Sequence, residues 1–305
     1  MSELAQLQTR FETYLLTEKR VAANTFGAYK RDLEQFVAYT ERKKITAKDI
    51  SSDHIKAFLQ HLKKLRMSSR SMARKISTLK SFFTYIHHYA GWKNNFSNEL
   101  ITPKIEKRLP HFFTESEIEL LFRIAEMDKT LAGKRNRVML YLLYVSGMRI
   151  SELCNLRMSD VHFDTGFIHV AGKGGKSRMV PLPQMMLDML HEYSDTIYKE
   201  VHKKGKSRAD NEYLFPIYYA GSIKPITRQS FWIILKKIWA KSGSDKQISP
   251  HKLRHSLATH MLKSGADLRS LQVLLGHENL STVQIYTHVE TSYLRTVYNK
   301  KHPRS

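Results

Sequence analysis

Through the first hundred positions, apolar residues recur one helical turn apart. After Asn24-Thr25 they fall at Phe26, Tyr29, Leu33 and Phe36/Val37, which is one face of a helix. Behind Ser52 the same spacing returns at Ile55, Phe58, Leu59 and Leu62, and a third run holds Met72, Ile76, Leu79, Phe83 and Ile86. With a leading helix around residues 11–16, this pattern predicts a four-helix domain over residues 1–96. Off the apolar face of the last helix lie Arg70, Arg74, Lys75 and Lys80, shortly after Lys63, Lys64 and Arg66, so one side of the domain is basic.

The periodicity then breaks. Residues 92–110 mix Asn, Pro and charge and end in Lys107-Arg108-Leu109-Pro110, and we place a basic linker at residues 97–111. A second domain, residues 112–305, opens with Thr114 followed by Glu117, the spacing of a capping box. An apolar helix over residues 137–144 is stopped by Gly147, and helix resumes over 151–156. Short alternating runs near 162–163, 167–170 and 179–182, separated by Asp164-Thr165-Gly166 and by Gly172 to Lys176, predict a small three-stranded antiparallel sheet. From Phe231 onward the pattern is helical again. The expected fold is mainly α, with a helical N-terminal domain and a mixed α/β domain behind it.

Charge sharpens this outline. The 305 residues carry a formal net charge of +22. Residues 1–110 hold 21 Lys and Arg against 10 Asp and Glu, and residues 111–305 hold 29 against 18, so the excess is shared by two apolar-rich bodies and is not a basic tail. Two folded basic bodies joined by a basic linker suit a clamp around a polyanion, with nucleic acid favoured and an RNA-binding role still open on charge alone. No run of about 18 apolar residues occurs, so no membrane partner is expected. The first residues lack a basic-then-apolar signal pattern, and Cys154 is the single cysteine, so the expected compartment is the cytoplasm, at the nucleoid. Gly175-Lys176-Ser177 imitates the end of a phosphate-binding P-loop, but position 170 is Val where that motif needs Gly, and the segment lies between strands.

Single candidates for chemistry are unremarkable alone. Ser249-Pro250 starts a helix whose Leu253, Leu257 and Met261 face the core, leaving His251 and Arg254 on another face near an anion-attracting N-terminus. Leu268, Leu271 and Leu275 share a face of a helix ended by Gly276; His277 follows at the turn and Tyr286 lies nine residues on. Taken singly, Tyr286 reads as a half-buried core tyrosine, Arg149 as a residue past a turn, and Lys173 as a solvated hairpin lysine.

Their order reads differently. The strings SGMRISEL (146–153), GKGGKSR (172–178), HKLRHSLATH (251–260) and LGHENLSTVQIYTHV (275–289) resemble the tyrosine site-specific recombinases of the phage integrase family. TFGAYKRDLEQFVAY (25–39) and ARKISTLKSFFTYI (73–86) extend the resemblance to the first domain, and in size and ending the chain is most similar to the bacterial Xer branch. The segment 203–229 is long for the pattern, and its role stays open.

The resemblance implies a SAM-like core-binding domain, to which the exposed cations Lys63, Lys64, Arg66, Arg70, Arg74, Lys75 and Lys80 would contribute DNA contacts, and a catalytic domain behind it. It implies six catalytic residues. Arg149 and Arg254 would hold the non-bridging phosphate oxygens with permanently charged donors, and His277 would add another. His251 would assist proton transfer, since an imidazole titrates near neutrality. Lys173 would protonate the leaving 5′ oxygen. Tyr286 is the nucleophile, a phenol being easier to ionise than a serine hydroxyl. The product would be a 3′-phosphotyrosyl intermediate, with no ATP, no cofactor and no metal required, and the chemistry is expected to proceed in EDTA.

The implied partners are double-stranded DNA bearing a specific recombination site and three further protomers, identical or paralogous, forming a tetramer on two duplexes. A DNA translocase would be an activating partner. Tyr293, Leu294, Val297 and Tyr298 form an apolar stripe that packs either on the chain's own domain or, as the resemblance implies, on a neighbouring subunit. The implied role is resolution of chromosome or plasmid dimers. A mobile-element integrase of the same family and a type IB topoisomerase, which shares a similar site, are the alternatives within DNA chemistry. A DNA-binding protein without catalysis is the alternative outside it.

Overall fold

The structure is a computed structural model and describes residues 2–92, 95–102, 112–172, 176–200 (the Ile197 side chain excepted), 213–276, 298 and 302–303. The chain divides into two compact units, Met1–Arg108 and Leu109–Ser305. No helix among the described residues is long and apolar enough to cross a membrane.

The first unit is built from α1 (Glu3–Thr17), α2 (Ala23–Arg42), α3 (Ser52–Lys64) and α4 (Ser69–Tyr89). Serine starts three of them: the hydroxyls of Ser2, Ser51 and Ser68 accept from backbone amides three residues on, satisfying donors that the first helical turn leaves unpaired. Leu33, Phe36, Ile55, Phe58, Leu62, Ile76, Leu79, Phe83 and Ile86 close the core, as the periodicity predicts. Phe36 meets Phe58 and Phe83 edge to face, the arrangement the ring quadrupole favours. Phe96 and Leu100 are buried in the same core, so the first unit reaches into the segment expected as linker; residues 103–111 lie outside the described residues.

One expected DNA contact is corrected here. Lys75 is buried, and its ammonium donates to Asp32 Oδ1 at 2.8 Å. Asp32 is itself buried on α2 and also accepts from Thr78 and Arg74. A buried carboxylate must be paired, and Lys75 does this, so it offers no charge to a surface polyanion. Lys63, Lys64, Arg66, Arg70 and Arg74 are exposed, whereas Lys80 is half-buried beside Tyr14, Tyr85 and Tyr89.

The second unit begins with α5 (Glu115–Glu126), where Thr114 and Glu117 form the predicted capping box and Lys246 pairs with Glu117 at 2.6 Å. Next, α6 (Leu131–Ser146) is buried on every side from Val138 to Ser146. It ends at Gly147, whose left-handed φ of 58° suits glycine. A Cβ there would also come within 2.7 Å of Leu275 and 2.8 Å of Leu257, so the turn and the packing both require its absence. The short α7 (Ile150–Asn155) follows.

Then β1 (Val161–His162), β2 (Phe167–Ala171) and β3 (Ser177–Pro181) form the expected antiparallel meander, with Ile168 opposite Val180. After α8 (Gln184–Tyr193) comes a hairpin that sequence reading missed, β4 (Pro216–Tyr219) with β5 (Ser222–Pro225). Its turn, Ala220-Gly221, has both φ angles positive, a geometry usually signalled by Asn-Gly or Asp-Gly. Part of the long 203–229 segment is therefore a hairpin anchored by buried Leu214, Phe215 and Ile226; residues 201–212 lie outside the described residues.

The unit continues with α9 (Arg228–Ala240), α10 (Pro250–Lys263) and α11 (Leu268–Leu275). The buried row of α11 is Leu271, Leu274 and Leu275; Leu268, expected with them, is 60% exposed at the first turn.

Tyr298 follows the own-domain alternative, not the docking that the resemblance implies. It belongs to the core of its own unit, donates its hydroxyl to Val145 O at 2.8 Å and stacks on His302 with ring centroids 4.4 Å apart. Burial and neighbouring Tyr144 raise its phenol pKa well above the ordinary value, so it remains a donor. It is therefore not part of a stripe offered to another subunit; Tyr293, Leu294 and Val297 lie outside the described residues. Tyr298→Ala should cost about 3–5 kcal/mol of stability, as aromatic-to-alanine changes in cores do. Tyr298→Phe, which strands a buried carbonyl, should cost about 1–3 kcal/mol. Urea unfolding checks both, and two variants as stable as the parent would mean that this seat is empty in solution.

Candidate active site

The centre of the second unit is the C-terminal end of α11. Gly276 closes that helix with φ of 63°, leaving the carbonyls of its last residues without helical partners. Three arginines take three consecutive carbonyls. Arg178 Nε donates to Leu274 O at 2.9 Å, Arg254 Nη2 donates to Leu275 O, and Arg149 Nη2 donates to Gly276 O at 3.2 Å. Cations at a helix C-terminus are favoured by the negative end of its dipole, and here they are also hydrogen-bonded to it.

Each arginine arrives from a different element. Arg149 is the N-cap of α7, reached through the Gly147 turn, and its amide donates to Glu152 Oε2 at 2.7 Å. Its Nη1 donates to Glu152 Oε1 at 2.8 Å, and its side chain is 42% exposed. Arg254 lies in the first turns of α10, which Ser249 caps and Pro250 begins. It points inward: 7% exposed, it also donates to Gly147 O at 2.5 Å and so ties α10, the Gly147 turn and α11 together. Arg178 comes from β3, 5% exposed, and donates to Glu152 Oε2 at 2.8 Å.

Glu152 thus bridges two of the three arginines. Burial works to raise its carboxyl pKa, but the hydrogen bonds and charge of Arg178 and the bonds from Arg149 outweigh this and hold it below the usual carboxylate range. It is an anion at neutral pH, offsetting part of the crowded positive charge. Burial, then the charges of Arg149 and Arg178, push the Arg254 guanidinium down to about 10, against the pull of Glu152. It remains charged at neutral pH.

A guanidinium has five N–H donors. Arg149 and Arg254 each place two on the protein groups named above, which leaves donors on both for an anionic ligand. His251, on the first turn of α10, is exposed, whereas Arg254, three residues on, is buried. Lys173, His277 and Tyr286 lie outside the described residues. Gly172 and Lys176, on either side of the 173–175 segment, are joined by a backbone bond of 2.7 Å, and Gly276 immediately precedes His277. Among the described residues, no group of three or more His, Cys, Asp or Glu side chains could hold a metal ion.

Sequence reading named Arg149 and Arg254 but missed Arg178. A signal was present. Strand alternation puts Arg178 in step with buried Val180, and an arginine on an inward strand position must have a partner.

This assembly and the two-unit fold define a class. Residues 111–292 match the Phage integrase family and residues 9–88 its N-terminal SAM-like domain. The chain belongs to that family and is a tyrosine recombinase, an enzyme of the Xer branch. It is 40% identical over 297 residues to the tyrosine recombinase XerD of Listeria innocua serovar 6a, covering 97% of this chain and 98% of that protein. It is 39% identical over 303 residues to XerD of Staphylococcus aureus strain Mu50, covering 98% and 100%. Among solved structures, XerH site-specific recombinase shares the fold with a TM-score of 0.68 at 21% identity, over 97% of this chain and 82% of that one. A lambda integrase tetramer also gives 0.68, at 20% identity over 92% and 75%.

Proposed function

We propose that this recombinase exchanges strands at a specific double-stranded DNA site, with Tyr286 as nucleophile and Arg149 and Arg254 as the phosphate cradle. The observation that carries this reading is the pair of arginines fixed on one helix end with donors to spare. Attack of the Tyr286 oxygen on phosphorus forms a 3′-phosphotyrosyl bond and breaks the bond to the 5′ oxygen. Charge builds on the non-bridging oxygens, where Arg149, Arg254 and His277 stabilise it. Lys173 gives the departing 5′ oxygen its proton, and His251 assists proton transfer at the tyrosine. The phosphotyrosyl bond retains the energy of the phosphodiester, so the new 5′ hydroxyl of a partner strand reverses the step without ATP.

The first unit acts as the core-binding domain, gripping the duplex backbone through Lys63, Lys64, Arg66, Arg70 and Arg74, while the segment after Leu100 is the linker. Four protomers, identical or paralogous, act on two duplexes; the lambda integrase structure is a tetramer on a Holliday junction, and the XerH structure holds its difH substrate. Subunit docking through Tyr293, Leu294 and Val297, and activation by a DNA translocase, complete the Xer-type role of resolving chromosome or plasmid dimers at the nucleoid in the cytoplasm.

Trapping tests this. Incubated in EDTA with genomic fragments carrying a nick opposite the cleaved strand, the protein should form a covalent adduct whose DNA is attached to the peptide containing Tyr286. The trapped complex should contain four protomers on two duplexes. Sequencing the attached DNA should recover one recurrent chromosomal site; ends of a mobile element would make the chain an integrase instead. An adduct that forms only with added magnesium would overturn the mechanism.

A further inference from the structure

We infer that Arg178 is a positioning residue for strand cleavage, holding Arg149 and the end of α11 in the geometry that receives the phosphate. This rests on the reading of Arg149 and Arg254 as phosphate ligands and deepens it.

Arg178 makes two bonds from one planar guanidinium. Its Nε reaches Leu274 O at 2.9 Å and its Nη2 reaches Glu152 Oε2 at 2.8 Å. Glu152 in turn holds Arg149 through both its amide and its guanidinium. The chain of contacts therefore runs from β3 to the α11 carbonyls on one side and to Arg149 on the other. Both Arg178 and Glu152 have side chains only 5% exposed, so the pair is shielded from water and its geometry is not averaged by solvent. The Arg178 side chain also packs against Gly276, where an added Cβ would come within 3.2 Å of it. A glycine at that position lets Arg178 lie flat across the helix end that leads into His277.

Arg149 is 42% exposed and bonds the same helix end at the longer distance of 3.2 Å. Without Arg178, Glu152 loses one of its two cationic partners, and the α11 end loses its innermost donor. A half-exposed arginine then has only a loosened carboxylate and the long bond to Gly276 O to orient it. Misplacement of a catalytic group by about 1 Å can cost about 100-fold in rate. The charge of Arg178 does not reach the phosphate in this arrangement, since its Nε and one Nη are directed into the protein.

Arg178→Lys and Arg178→Gln separate positioning from mere stability. Lysine keeps the charge beside Glu152 but lacks the planar fork that bonds Glu152 and Leu274 O in fixed geometry. On a synthetic duplex containing the trapped site, single-turnover cleavage at saturating DNA should fall roughly 10-fold for lysine and up to about 100-fold for glutamine. DNA affinity should stay within about twofold, because the missing group touches no phosphate. A second substrate carries sulfur in place of the 5′ bridging oxygen, which leaves without needing a proton. The same fold loss on this substrate places the defect at the phosphate cradle. Full recovery on it would place the defect at Lys173, on the hairpin that β3 completes, and would overturn the proposal.

Glu152→Gln combined with Arg178→Gln should lose little more than either change alone, as expected for side chains acting as one unit. If the glutamine variant does not fold, the lysine variant carries the test. Arg149→Ala is measured alongside. If it cleaves normally, the phosphate reading fails; if it is slow while both Arg178 variants cleave at the parent rate, only the role of Arg178 falls.

Discussion

Tyr286→Phe should abolish covalent adduct formation while leaving site binding intact. Phenylalanine keeps the ring and removes only the oxygen that bonds to phosphorus, so DNA affinity should change by less than about twofold. The reaction has no substitute route of comparable speed. By analogy with removal of the nucleophile from another covalent enzyme, the loss is on the order of 10⁶-fold, which in a gel assay reads as no product. The check is denaturing electrophoresis of protein and labelled nicked substrate, with a mobility shift measured in parallel. An adduct of normal yield would remove Tyr286 from the mechanism and with it the claim that the His277-to-Tyr286 spacing marks the active site. It would leave the family assignment, which rests on matches across nearly the whole chain, untouched.

The second large effect belongs to Arg254. Arg254→Ala should slow cleavage by about 10²–10³-fold, the loss seen when one preorganised donor to a developing oxyanion is removed. It should also destabilise the fold, because Gly147 O and Leu275 O lose a shared buried donor. Each stranded carbonyl costs about 1–3 kcal/mol. Removal of a cation that burial, then the charges of Arg149 and Arg178, hold at a pKa of about 10 offsets part of this. The two consequences separate in Arg254→Lys, which keeps a charge near the phosphate but cannot span both carbonyls. Its stability should fall like that of the alanine variant while its cleavage rate lies between alanine and the parent. Urea unfolding and single-turnover cleavage measure the two independently. Parent-like cleavage by Arg254→Ala would mean that this guanidinium is purely structural.

Arg254 also shows where sequence reasoning runs out. Its place three residues after His251 suggested an accessible polar face, yet Arg254 is buried and hydrogen-bonded to two carbonyls while His251 is exposed. Helical spacing gives an angle about an axis. Which side of that axis is covered depends on α6, α11 and the Gly147 turn, which come from distant parts of the chain. Lys75 failed for the same reason: its position off the apolar face read as exposed, but Asp32, 43 residues earlier, is buried opposite it and requires a counter-charge. Tyr298 read as an apolar residue of a docking stripe because nothing local reveals the unfilled seat beside Val145.

What the sequence determined by itself was local or ordered. Period-3.6 and period-2 burial specify most of the helices and the three-stranded sheet, because each element must hide one face. Serine, threonine and glycine mark the helix ends, because unpaired amides and left-handed turns accept few residue types. The order of the strings around Arg149, Lys173, His251, Arg254, His277 and Tyr286 points to the family, to which the chain belongs. Only the tertiary structure decided which cations are free and which are held. It brought β3, α7, α10 and the end of α11 together, so that three arginines fall on three successive carbonyls with Glu152 between two of them. That arrangement depends on contacts between residues as many as 127 positions apart, and no local preference encodes a partner at such a distance.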